Sequence, residues 1–545
     1  MKSILKITIV SIVVLLTSCA EEFLDRSPYG SLNNQTFFLT EDHASQAAIA
    51  CYNFIRYNNY HWALLQLELG MTDNYGTWGF GEYQDYQLAA FDINDNPVVN
   101  GVYSRAYTGI GRCNINIQGV SAMTEEQISS EAKNKYLAEM RFIRSWWYYR
   151  LIQFYGDVPV RTEIPEDVTN KEETNIPPTV KEKIIDDVIL PDLEFARDNL
   201  DVVKWPEDQT GRLTLGAVYA YLIDVNVYKG DYDAAIAAGT AFENLKDEAG
   251  YALLDDPNYV NRTDNENNSE LIFVASFGPG ATSYRNFYTG TKRSAGEGLG
   301  DIIRGSSYAG AYIYPSNDLL ESYTMIDGTS ISESPLYDAT LDNEYKWRDL
   351  RFDVAFFTPF DEIETYPNGI MVNWDFSMRN NTIGQGGYDI QNRCIYYGNS
   401  TDYVWQADIR YKKLSSVYLQ IAEAYAKKSD WTNCEKFLEK VRSRARNYAL
   451  ANKSKYVPAG VDDSDVLPAY EINNLTEAMA AIEYEFRVET FGDDAVRYFN
   501  LKRWGKLQRW AETCGWAWNQ KFYDLPYPNS AVTNNTALDN SAKGW

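Results

Sequence analysis

Histidine is nearly missing from this sequence: His43 and His61 are the only two in 545 residues. A histidine-rich metal site or a histidine proton relay is excluded, and a Ser-His-Asp triad would have to use one of these two. Basic residues are also short, with 50 Lys and Arg against 76 Asp and Glu, for a net charge of −26. Nucleic-acid binding needs a basic footprint, so that class is excluded. The same deficit argues against electrostatic docking on anionic lipid. The six cysteines contain no C-x-x-C pair, which argues against a zinc or redox site. Length alone suggests about three or four domains, but no Pro-, Ser- or Gly-rich linker interrupts the chain, so one large unit or two fused units fit equally well. What is abundant is aromatic: 42 Tyr, 23 Phe and 14 Trp. At 45% hydrophobic the chain is too apolar for disorder. Polar-tipped rings in such numbers suit wet surfaces that still offer flat apolar faces.

The N-terminus reads as an address. Lys2 and Lys6 precede an apolar run, Ile7 to Leu16. Ten or so residues fall well short of the ~20 that span a bilayer. The run ends Leu16-Thr-Ser-Cys19, which resembles a bacterial lipobox, with small residues before a cysteine that is lipidated and becomes the new N-terminus. Residues 1–18 are therefore read as a lipoprotein signal peptide and Cys19 as a membrane anchor. Glu21 and Glu22 resemble the acidic surface-export signal of Bacteroidetes lipoproteins. Of the later cysteines, Cys434 sits in a helical pattern and is expected to be a buried free thiol.

The rest predicts a mainly α chain. Thr40 to Tyr52 is a first helix, capped near Thr40 or Asp42. Lys135 to Tyr155 carries Leu137, Met140, Ile143, Trp147 and Leu151 at three- and four-residue spacing, with Gly156 to end it. Val180 to Leu200 is another helix that Pro191 should kink or split. Two segments, Leu215–Phe242 and Leu414–Val441, align Asp231 with Asp430 and Tyr219 with Tyr418. Each reads as helix, tight turn, helix in the tetratricopeptide manner, and together they suggest a helical scaffold with material inserted between its units. That material, 269–405, is rich in Gly, Asn, Tyr and Trp, poor in helical period, and holds one candidate strand, Leu271–Phe277. It is read as a loop-rich, strand-poor subdomain between helical parts at 19–268 and 406–545.

Several segments together resemble the SusD/RagB family of Bacteroidetes outer-membrane lipoproteins. They are Phe23-Leu-Asp-Arg-Ser-Pro-Tyr-Gly, the stretch from Glu139 to Pro159, Gly211 to Leu222, Ile421-Ala-Glu-Ala-Tyr-Ala, the stretch from Glu485 to Gly505, and Leu525-Pro-Tyr-Pro. Asn500 stands where the family has Asp before Leu-Lys-Arg. The resemblance implies a cell-surface protein, lipid-anchored at Cys19, that captures nutrient, most often a glycan and in some relatives a peptide. It implies delivery to a SusC-like TonB-dependent outer-membrane transporter, with no cofactor and no catalysis. The charged residues of the hallmark stretches, Arg141, Arg144, Arg487 and Arg503 beside Glu139, Glu485 and Glu489, are expected to serve packing, some of them paired at helical spacing.

Sugar capture needs aromatic faces for the C–H side of a pyranose and polar groups for its hydroxyls. Loops that follow early helices serve this in relatives, and Gly70–Tyr86 offers Asp73, Asn74, Tyr75, Trp78, Tyr83 and Gln84. A second cluster is Tyr284, Arg285, Asn286, Phe287 and Tyr288. A third is Trp374, Tyr388, Tyr396, Tyr397 and Trp405, of which at most one of Tyr396 and Tyr397 faces a site. Asp92-Ile-Asn-Asp-Asn-Pro opens like a calcium loop, but Pro97 replaces the needed Gly and Tyr103 the bidentate Glu, so no metal is assigned. Two other classes remain. A surface glycoside hydrolase would need paired carboxylates roughly 5 or 7–9 Å apart, and no hydrolase motif is present. A peptide-capturing member would show an enclosed cavity in place of a row of aromatics.

Overall fold

The longest apolar-periodic stretch builds the centre of the molecule. In a computed structural model, α3 spans Ser130–Tyr155; the Ser129 side chain accepts from the Ala132 N–H at its start, and Gly156 ends it at φ 68°. A side chain on Gly156 would strike the Asp524 carboxylate, so glycine is needed there for space as well as for backbone. The structure describes residues 37–55, 64, 67, 70–77, 97–165, 169–260, 265, 267–276, 313–338, 345–357, 391–392, 409–491, 493, 495–514 and 517–545.

Trp146, Trp147, Tyr148, Tyr149 and Tyr155 of α3 are each at most 1% exposed. Rings of this kind bury roughly 150–250 Å² apiece, about 4–6 kcal/mol of gross hydrophobic gain each. The polar tips of Trp146, Tyr148, Tyr149 and Tyr155 are matched. Trp146 Nε1 donates to Tyr221 Oη at 2.9 Å, and Tyr149 Oη to Asp224 at 2.9 Å. Tyr155 Oη donates to the Val99 carbonyl at 2.7 Å. Around α3 pack α1 (Glu41–Ile55), α2 (Pro97–Ser121) and α4 (Leu190–Asn199). Pro191 distorts this helical run without breaking it: a short helix, Lys181–Ile184, passes through a π-helical turn into α4, which begins at Leu190 with Pro191 in its first turn.

The two look-alike segments are both helical hairpins. α5 (Leu215–Lys229) turns through Gly230 into α6 (Tyr232–Ala249), with Asp231 accepting from the Ala234 N–H. α7 (Leu414–Lys427) turns into α8 (Trp431–Ala451), with Asp430 accepting from the Asn433 N–H. They are distant in the chain but stacked in space, α7 lying on both α5 and α6. The scaffold is tetratricopeptide-like, and α9 (Leu475–Glu489) extends it along α7 and α8. α10 (Val496–Arg503) follows. One hydrophobic core runs from Ala44 to Leu538. Cys434 is buried and free, as expected, and so are Cys51 and Cys113.

Among the described residues the strands are short and paired antiparallel in twos. They are β1 (Tyr75–Thr77), β2 (Leu271–Ala275), β3 (Ile313–Pro315), β4 (Phe356–Phe357), β5 (Gln391–Asn392) and β6 (Ile409–Lys413). β1 pairs with β3, β2 with β6, and β4 with β5.

The hallmark charges do serve packing, but they pair across elements and not along one helix. Arg144 grips Asp192 of α4 with Nε and Nη2, each at 2.8 Å. Arg503 pairs with Glu423 of α7. Glu139, fully buried on α3, receives Arg212 and the Tyr52 hydroxyl, which itself accepts from the Leu213 N–H. That knot ties α1, α3 and the start of α5 together. Glu139→Ala leaves the Arg212 charge unmatched, so urea unfolding should show a loss of about 3–5 kcal/mol; a loss under 1 kcal/mol would contradict the knot.

Candidate functional site

The chain segment that carries the first candidate cluster dives into the scaffold before it emerges. Met71, Thr72, Asp73 and Asn74 are each at most 1% exposed. A carboxylate that deep needs a cation, and Arg497 of α10 supplies one: Nε donates to Oδ1 at 2.8 Å and Nη2 to Oδ2 at 2.6 Å. Arg487 of α9 donates from Nε to Asn74 Oδ1 at 3.0 Å. Its Nη2 reaches the Asp73 carbonyl at 3.0 Å and Asp318 Oδ2 at 2.7 Å. Ser316 completes the joint. Its hydroxyl donates to the Asp73 carbonyl at 2.6 Å and its N–H to the Asn74 carbonyl at 2.9 Å. The same hydroxyl accepts from the Leu319 N–H and caps the short helix Asn317–Ser322.

Burial pushes the Asp73 carboxyl up, but the hydrogen bonds and charge of Arg497, helped by Arg487 and Arg509, outweigh it and hold the group down at about 2. Arg497 also donates to Glu483 at 3.1 Å, and Lys506 and Arg509 meet that same carboxylate. A charge ladder therefore runs Glu483, Arg497, Asp73, Arg487, Asp318.

The strands next to this joint bring together chain ends that flank the segments carrying the three candidate clusters. Thr77 pairs with Ile313, so residues 78–96 leave the scaffold at the point where 277–312 return to it. Phe357 pairs with Gln391, so the two ends of 358–390 also meet. β3 and β5 approach within 8 Å between Cα atoms. Four loop ends thus share one base. Tyr75 lies in β1 opposite Pro315. Trp78, Tyr83, Tyr284, Arg285, Tyr288, Trp374 and Tyr396 lie outside the described residues, in the segments that start or end there, and Cys19, read from the sequence as a lipid anchor, also lies outside them. Asp73 and Asn74, read from the sequence as ligand contacts, have their side chains engaged by the two arginines beneath the loop.

A second buried network fixes the other loop root. Arg351, 2% exposed, binds both oxygens of Asp349 and reaches Glu485 Oε2 at 2.6 Å. Arg442 of α8 and the Tyr470 hydroxyl meet Glu485 Oε1 at 2.9 and 2.8 Å. Arg444 bridges Glu489 and Glu270. The segment that leads into β4 is thereby bound to α8 and α9. Sequence reading singled out Arg487, Glu485 and Glu489 but not Arg497, Asp349, Arg351, Arg442 or Ser316. The available signal was charge in apolar surroundings, as at Met71-Thr-Asp-Asn and Asp349-Leu-Arg. Among the described residues no group of three or more His, Cys, Asp or Glu is placed to hold a metal, and no helix is long and apolar enough to cross a membrane.

Comparison with known proteins agrees with this architecture. Residues 269–545 match the SusD family, and residues 22–228 match a family described as starch-binding, associating with the outer membrane. The chain belongs to the SusD family. A SusD-like protein of Bacteroides ovatus is 26% identical over 333 residues, covering 59% of this chain and 58% of its own length. The chain thus matches little more than half the length of such curated relatives. Among solved structures, a SusD-like protein from Bacteroides fragilis superposes with a TM-score of 0.71 at 19% identity, over 94% of this chain and 99% of that one. A laminarin-binding SusD-like protein gives 0.62 at 18%, over 91% and 98%. Surface glycan-binding protein A from Bacteroides thetaiotaomicron gives 0.64 at 17%, over 93% and 100%. At these identities the structures speak for the fold.

The depressed Asp73 group makes a pH prediction. Its contribution is present above the unfolded value of 3.8 and is lost as pH falls toward about 2. Wild type should exceed Asp73→Asn by roughly 2 kcal/mol at pH 7, the gap closing below about pH 4. Thermal unfolding of both proteins across that range checks it; a gap that does not change with pH would refute the assignment.

Proposed function

We propose that this chain is a cell-surface glycan-capture protein, held in the outer membrane by lipid on Cys19, that delivers an oligo- or polysaccharide to a SusC-like TonB-dependent transporter. The observation that carries the reading is the common base of the loops. Three segments, far apart in sequence, meet the scaffold at one set of paired strand ends: the first leaves at Thr77, the second returns at Ile313, and the third leaves at Phe357 and returns at Gln391. Their rings and amides are the groups that stack on a pyranose and bond its hydroxyls. The family description as starch-binding and the glycan-binding neighbours support the same class of ligand.

The reading assigns Trp78, Tyr83, Tyr284, Arg285, Tyr288, Trp374 and Tyr396 to ligand contact, and no catalytic residue. Tyr75 begins the first loop, and Asp73 and Asn74 hold its root. An open aromatic platform leaves much of a sugar wet, so affinity for free glycan should lie near micromolar to millimolar, or about −8 to −4 kcal/mol. Closure by the transporter would cover the other face.

Affinity electrophoresis of residues 20–545 through gels containing laminarin, starch and other polysaccharides tests this. Retardation by at least one glycan is expected, weakened about tenfold or more in Trp78→Ala. Failure of all glycans, with binding of a peptide mixture instead, would replace the glycan by a peptide. New reducing ends in the gels would overturn the non-enzymatic reading.

A further inference from the structure

The charge ladder under the loops does more than hold the scaffold together. We infer that Arg487 and Arg497 are positioning residues for ligand capture, fixing the roots of the first two aromatic loops against each other through Asp73, Asn74, Ser316 and Asp318. The inference rests on the capture reading for its functional half and on geometry for the rest.

The connectivity is the argument. Arg497 holds the side chain of Asp73, and Arg487 holds the Asn74 side chain and the Asp73 carbonyl. Arg487 then crosses with the same Nη2 to Asp318, in the first turn of the helix that follows β3. One guanidinium thus touches both sides of the β1–β3 joint, and the fork geometry of arginine sets their separation. Ser316 repeats the tie with two bonds to the backbone of residues 73 and 74. The paired strands above it are three residues long. So short a ribbon does not hold its own register. Register at Thr77 and Ile313 decides where residues 78 and 312 start, and so whether rings on the two loops meet the same sugar.

Energy points the same way. Apolar side chains would hold this joint at least as firmly, because a buried ion pair is seldom more stabilising than a hydrophobic replacement of similar volume. What charges and directional hydrogen bonds add is a unique arrangement.

The test compares Arg487→Gln and Asp318→Asn with wild type. Asp318 is more than half exposed, so its variant keeps the buried part of the ladder and should fold even where Arg487→Gln does not. Lys428→Ala, in the exposed Lys428–Asp233 pair of the hairpins, is the control. Amide hydrogen exchange, without ligand, is read at residues 74–77 and 313–316 and at α3. Both variants should exchange faster at the β1–β3 joint, about tenfold in Arg487→Gln and a few-fold in Asp318→Asn, with α3 unchanged. Both should be retarded less than wild type in the polysaccharide gel, in the same order, while Lys428→Ala matches wild type. A residue that only stabilises the fold would raise exchange everywhere and leave retardation of the folded fraction intact.

Unchanged exchange at the joint in every variant that folds would overturn the inference. So would faster exchange with undiminished retardation. Wild type that no polysaccharide retards would sink the capture reading and the positioning role with it, while the exchange data would still report whether the joint is built as described.

Discussion

A carboxylate withdrawn from water must meet a cation, and this requirement organises the molecule more than any other. The cost of leaving such a group unmatched is several kcal/mol, so each buried acid dictates where a basic side chain from elsewhere has to be. α9 and the start of α10 are where these obligations gather. Glu483, Glu485, Arg487, Glu489 and Arg497 lie within fifteen residues, and all but Glu483 pair with segments remote in the chain. Glu485 takes the segment before β4, Arg487 the segments on both sides of the β1–β3 joint, and Glu489 the side chain that also holds Glu270. The C-terminal helices act as a plug board into which the remote segments are wired.

Hydrophobic burial provides the bulk of the free energy but little of this specificity. The rings of α3 fill a core that would tolerate many similar arrangements, since apolar contact is not directional. Their hydroxyl and indole tips remove that freedom by requiring partners on α5 and α2. The tyrosine-rich composition therefore has two uses. Some rings are internal struts with satisfied tips, and those in the loops are free of that duty in the capture reading.

How much of this was legible in the sequence depends on the range of the interaction. Local chemistry was the most legible: Gly156 ending α3 and Pro191 disturbing the helix that contains it act within a few residues, while the caps at Asp231 and Asp430 emerge only from the structure. The two hairpins were recognisable because each repeats a local pattern, and the resemblance to the SusD family followed from motifs spread along the chain. Long-range pairing was not legible. The expected helical-spacing partners of Arg144 and Arg487 are absent from the ties described above, and their true partners, Asp192 and Asp73, lie 48 and 414 residues away. Asp73 and Asn74 look like any polar loop pair until the fold brings two arginines under them. β1 and β3 carry too few residues to show a period at all.

The rung between Phe357 and Gln391 has a consequence for how such a chain can change over generations. A loop whose two ends are already joined pays for extra length only through closure entropy, about 0.6 kcal/mol for each doubling. Insertions and deletions between those residues therefore pass almost unnoticed by the folding equilibrium. The ion-paired floor beneath, by contrast, punishes nearly any single replacement. Lineages descending from one ancestor would keep the floor nearly constant and let the stretch above it drift in length and wording, acquiring new tastes without relearning how to fold.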